Sequence, residues 1–216
     1  MTYSVLILDK TTGRAGVGVA SGSIAVGSRV PWCRHGVACV ATQAYTNPAL
    51  GPRVLRLIGE EGLGADEALS QALSTDPEPS KRQVAVIDFA GRVACFTGDE
   101  APPRRNCARG AGEGFAYVVA GNLLRNEGVV EAATFTLLRE MHSSGDITEA
   151  ILSALEAAAE AGGDARGERS AAILVVDETA WGPEYDRVLD VRVDYSDDPL
   201  RELRRIVEAL KPPLRP

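Results

Sequence analysis

Hydrophobic positions in this chain switch between two periods. YSVLILD (3–9) and AGVGVAS (15–21) are strand-like runs around DKTTGR, whose Asp, Thr and Gly residues favour a turn, so they predict a hairpin. GVACVATQ (36–43) predicts a third strand. The spacing then becomes helical. PRVLRLIGEE places Val54, Leu57 and Ile58 on one face behind a proline suited to a first helical position, and ADEALSQAL (65–73) continues as a second helix. RQVAVIDFAGRVACFTG (82–98) predicts a second hairpin, turning at Asp88–Gly91, and FAYVVAG (115–121) a further strand. Two helices follow: one with Val130, Ala133, Leu137 and Met141 in a stripe, and one opened by Asp146 and Glu149 in capping-box spacing. SAAILVVDE (170–178) and RVLDVRVD (187–194) are strands, and a helix over 199–210 starts from Asp198 and Pro199.

Strands joined by hairpins, with helices grouped between them, argue an antiparallel α+β protein. Runs such as VLILD and AAILVV leave no polar face, so each sheet must be covered on both sides. The most economical packing is a four-layer αββα sandwich of two antiparallel sheets. The 216 residues carry no linker or internal repeat, which predicts one domain over 1–210 and a Pro-rich tail, KPPLRP, at 211–216.

Composition removes whole classes of function. With 23 basic against 30 acidic residues the formal charge is −7, which offers no general field for nucleic acid or anionic lipid. No apolar run approaches the roughly 18 residues of a membrane helix, and MTYSVLILDK has no basic segment ahead of its apolar stretch. A cytoplasmic protein with a small-molecule partner is expected, without nucleic acid or membrane contact, and a homo-oligomer follows only from general frequency. Cys33, Cys39, Cys95 and Cys107 form no CxxC pair and are expected as small buried thiols. His35 and His142 are the only histidines; His142 falls in the last turn of a helix, where a cation suits the dipole. Neither a metal nor any other cofactor is expected, since Asp164 and Glu168 alone define no coordination set.

Candidate chemistry lies at strand ends. Gly162-Gly163-Asp164-Ala165-Arg166-Gly167-Glu168-Arg169-Ser170 joins a helix to a strand, combining close backbone approach with a carboxylate, a bidentate donor and a hydroxyl in Asp164, Arg166 and Ser170. The same glycines also suit a helix C-cap. Gln43 and Asn47 carry amides able to read a carboxamide or a carboxylate, although Asn47 equally caps the Pro48 turn. Ser21 and Ser23 end the second strand, as a turn or as hydroxyl donors to a substrate. Asn122 follows a glycine at the close of an apolar strand, where an amide can serve a developing oxyanion. If Asp164 and Arg166 serve a ligand, Asp164→Asn and Arg166→Ala are expected to weaken its binding and leave the melting temperature nearly unchanged.

Across VPWCRHGVACVATQAYTNPALGPRVL (30–55), GNLL (121–124), GGDARGERSAAILVV (162–176) and LDVRVDYSDDPLREL (189–203), the sequence resembles a family known as domain of unknown function 1028. The resemblance spans nearly the whole chain and implies the fold of N-terminal-nucleophile hydrolases, the same sandwich reached above, but no established reaction. In that fold a Thr, Ser or Cys beginning the mature chain attacks, its own α-amine acting as base near a pKa of about 7.7–8.0. Thr2 would occupy that position once Met1 is removed; otherwise it is simply a β-branched residue opening a strand. Two functions are expected to compete. One is an amidohydrolase of small polar amides with Thr2, Asn122 and Asp164 as catalytic residues. The other is a non-catalytic ligand-binding or oligomer-forming protein that uses the same polar positions.

Overall fold

A computed structural model describes residues 2–112 and 114–210; the expected tail at 211–216 lies outside them. The described residues form an α+β structure whose elements are β1 Thr2–Asp9, β2 Arg14–Ser21, β3 Pro31–Arg34, β4 Ala38–Ala44, α1 Leu50–Glu61, α2 Ala65–Ser74, β5 Arg82–Asp88, β6 Val93–Thr97, β7 Asn106–Ala111, β8 Phe115–Asn122, α3 Gly128–Ser143, α4 Ile147–Glu160, β9 Ser170–Val176, β10 Arg187–Val193 and α5 Pro199–Leu210. The expected hairpins are present. Asp9 closes the first by accepting from Thr11 N at 2.8 Å, and Asp88 the second by accepting from Ala90 N at 3.0 Å. Asp146 caps α4 through Thr148 N at 2.9 Å.

Two strands were not expected. Pro31–Arg34 and Asn106–Ala111 are the edge strands β3 and β7, four and six residues long and largely without an apolar pattern. The other two edge strands, β6 and β10, carry apolar runs and were expected; β3 is only four residues long and β7 is mostly polar or small, which leaves hydrophobic periodicity little to detect.

All strand pairs are antiparallel. A six-stranded sheet runs β10-β9-β2-β1-β8-β7 and a four-stranded sheet runs β3-β4-β5-β6. Alternation along β1 shows how they stack: Tyr3, Val5 and Ile7 pack toward α3 and α4, whereas Leu6 and Leu8 enter the core between the sheets. Val40, Val84 and Val86 of the smaller sheet face α1 and α2. The result is helices, six strands, four strands, helices.

The glycines of β2 fit this packing. A Cβ at Gly18 would lie 2.2 Å from Ile151 Cγ2 and 2.9 Å from Leu155 Cδ1. Helix α4 therefore sits against bare backbone.

The cysteines depart from the expected thiols. Cys33 and Cys39 are direct partners across β3 and β4 and form a disulfide, while a second bond joins Cys95 of β6 to Cys107 of β7. The second bond links one sheet to the other, a proximity that exists only after the sheets stack.

Candidate functional site

Register and alternation gather polar side chains at one end of the layer between the sheets. Thr2 of β1 lies opposite Asn122 of β8, Ser21 of β2 opposite Ser170 of β9, and Gln43 of β4 opposite Gln83 of β5. Each lies on a strand face that, two or four residues away, carries Leu6, Val19, Ala120, Ala172, Ala41 or Ala85 into the inter-sheet core. The apolar layer thus ends in a polar one.

Hydrogen bonds connect its members. Thr2 Oγ1 lies 3.1 Å from Ser21 Oγ, which also accepts from Ser23 N at 3.1 Å. The Thr2 carbonyl receives Gln43 Nε2 and Asn122 Nδ2, both at 3.4 Å. Those two nitrogens also converge on Gln83 Oε1, at 2.7 and 3.0 Å. Gln83 was not singled out from sequence. The available signal was a glutamine on the strand face that places Ala85 and Ile87 in an apolar core.

The glycine-rich bend docks beside this group. Asp164, 1% exposed, accepts from Gly22 N at 2.7 Å and from Arg166 N at 2.9 Å, and pairs with the half-exposed Arg166 guanidinium at 3.2 Å. Arg166 Nη2 also reaches Ser23 Oγ at 3.3 Å. Ser170 Oγ donates to Ser23 O at 2.6 Å and accepts from Val26 N at 3.0 Å. From inside, Tyr3 donates to Glu168 Oε1 at 3.1 Å, and the same oxygen accepts from Asp164 N at 2.9 Å. Burial, then the neighbouring Glu168 and Asp164 charges, hold the Tyr3 phenol well above its usual value, so it stays a donor. Gly162 and Gly163, at φ 122° and 54°, follow the end of α4, as expected of a helix C-cap.

Strain and unmet hydrogen bonds coincide here. Ala44 and Leu123, immediately after Gln43 and Asn122, sit at φ 70° and 47°, a conformation costing non-glycine residues about 1–2 kcal/mol. Ser4 Oγ, Gln43 Oε1 and Asn122 Oδ1 are buried without a hydrogen-bond partner, at about 1–3 kcal/mol for such a group.

Eight of the nine residues expected to form a site, Thr2, Ser21, Ser23, Gln43, Asn122, Asp164, Arg166 and Ser170, belong to this connected group. Asn47 does not: its amide donates to Asp76 Oδ2 at 2.7 Å and accepts from Ala49 N at 3.1 Å, as a turn cap would. Arg34 and His35 lie at the far end of β4, because Arg34 pairs with Ala38. His35 packs edge-on against Phe89. Among the described residues, no group of three or more His, Cys, Asp or Glu side chains could hold a metal ion.

A model of a family of unknown function, DUF1028, matches residues 2–203. The chain belongs to the DUF1028 family. A crystal structure of a DUF1028 protein from Silicibacter pomeroyi superposes with a TM-score of 0.84 at 29% identity, covering 98% of this chain and 86% of the other. Anbu, the ancestral beta-subunit from Yersinia bercovieri, aligns over 100% of both chains with a TM-score of 0.42 and 12% identity. No curated protein matches this DUF1028 chain.

Proposed function

We propose that this DUF1028 chain hydrolyses small polar amides as an N-terminal-nucleophile enzyme built on its two-sheet sandwich. The observation that carries this reading is the hydroxyl of Thr2 at 3.1 Å from Ser21 Oγ, within a cluster of polar groups that includes three unpartnered buried atoms. With Met1 removed, the Thr2 amine takes the Oγ1 proton as the oxygen bonds the amide carbon. The proton passes to the leaving amine as the C–N bond breaks, and water then cleaves the ester. Asn122 acts on the nucleophile's own backbone: its Nδ2, held by Gln83 Oε1 at 3.0 Å, donates to the Thr2 carbonyl at 3.4 Å and so positions Thr2, which leaves backbone N–H groups as the proposed donors to the oxyanion. Asp164 acts at one remove by fixing Gly22 and Arg166. A substrate enters past half-buried Ser23 and exposed Arg166.

The alternative, a ligand-binding protein without catalysis, is favoured by one observation: Thr2 is only 4% exposed. Intact mass and hydrolysis of an amide panel by wild type and Thr2→Ala separate the two. A processed wild-type chain with activity absent from the variant supports the enzyme; a retained Met1 in an active chain, or equal activity in both, rejects it. Among the described residues no helix is long and apolar enough to cross a membrane. A cytoplasmic site of action requires the two disulfides to withstand a reducing thiol pool.

A further inference from the structure

Backbone carbonyls fix which end of each buried amide faces the site. Gln83 Nε2 lies 3.1 Å from Gly121 O, 3.4 Å from Asn106 O and 3.0 Å from Thr97 Oγ1. Carbonyls only accept, so this end of Gln83 is its NH₂ group. Its Oε1 therefore faces Gln43 and Asn122, and each of those must present its own NH₂. Their contacts to the Thr2 carbonyl demand the same orientation. What remains on the other end of the two amides is two acceptors, Gln43 Oε1 and Asn122 Oδ1, both buried and unpartnered. The third orphan, Ser4 Oγ, shares the inter-sheet face of β1 with Thr2 and can donate as well as accept.

We propose that these three atoms recognise a primary carboxamide on the substrate. Its two N–H bonds go to Gln43 Oε1 and Asn122 Oδ1, and its oxygen receives the Ser4 hydroxyl. A carboxylate of the same shape would set lone pairs against two acceptors that cannot turn, and is rejected. An ammonium could donate to all three atoms, Ser4 Oγ accepting, but it would bury a positive charge against neutral groups alone and is disfavoured for that reason. The carboxamide lies at the inner end of a polar track running outward through Thr2, Ser21, Ser23 and Arg166. This inference rests on the cluster being the substrate site and not on Thr2 being its nucleophile.

The experiment titrates acetamide, acetate and methylammonium into the full-length Thr2→Ala chain by ligand-observed NMR, with crystals soaked in each. Acetamide is expected to bind roughly tenfold or more tightly than either of the others, since a site built for N–H donors rejects groups that leave its buried atoms unpaired. Gln43→Met should weaken acetamide. Gln83→Met, which removes the clamp and no proposed ligand contact, should bring the acetamide-to-acetate ratio toward one. Equal affinities in the parent chain, preference for acetate or methylammonium, or only water at the three orphan atoms overturns the proposal, whether or not either variant folds. A retained preference for acetamide alongside a failed hydrolysis assay would sink the catalytic reading alone; turnover without that preference would sink the carboxamide site alone.

Discussion

The backbone N–H of Gly22 donates to the carboxylate of Asp164 at 2.7 Å, across 142 residues of sequence. This bond pins the end of β2 to the bend before β9 and thereby sets Ser21 beside Thr2. Asp164 is buried and accepts from several N–H groups, so Asp164→Asn is expected to turn an NH₂ toward donors and lose about 1–3 kcal/mol. Arg166→Ala should lose under about 1 kcal/mol, its side chain being 42% exposed. Burial thus separates two substitutions that the sequence treats alike. Equal melting temperatures for both variants would contradict this.

Helix α4 rests on the bare backbone of β2. Gly18→Ala would put a methyl 2.2 Å from Ile151 Cγ2 and is expected to destabilise by about 1–3 kcal/mol. Combined with Ile151→Ala, which removes Cγ2, the loss in thermal denaturation should be smaller than the sum of the two single losses. Additive losses in the double variant would count against the contact.

Asp76 sets an acid limit on stability. Burial raises its pKa, but bonds from Arg82, Asn47 and the Glu78 backbone, together with the Arg82 charge, outweigh that and bring it from 3.8 to about 2. A folded-state pKa below the unfolded one stabilises above the unfolded value and is lost as pH falls through the folded one. About 2 kcal/mol should therefore disappear between roughly pH 4 and pH 2. Asp76→Asn should flatten this part of the urea-denaturation profile, and an unchanged pH dependence would reject the assignment.

The Cys95–Cys107 bond closes a loop with a sequence separation of 12 between edge strands of opposite sheets. Removing it by Cys107→Ser is expected to lower stability by about 2–4 kcal/mol. Reductant should lower the melting temperature of the wild type more than that of the variant. Four titratable thiols in the native, unreduced protein would show that the bonds do not form.

The sequence by itself determined the long elements and their class. β1, β2, β5, β8 and β9 are apolar on both faces and require cover on both; the stripes of α3, α4 and α5 cover the larger sheet and those of α1 and α2 cover β5. Strand-end polar residues were likewise legible, because Gln43 and Asn122 interrupt apolar runs. Tertiary structure decided what such local patterns cannot encode: the edge strands β3 and β7, the pairing of Cys95 with Cys107, and the convergence of Thr2, Gln43, Gln83, Asn122 and Asp164 at one end of the inter-sheet layer. Hydrophobic period is a property of a few successive residues. The orientation of a buried amide is set by carbonyls from other strands, and those arrive only when the sheets close.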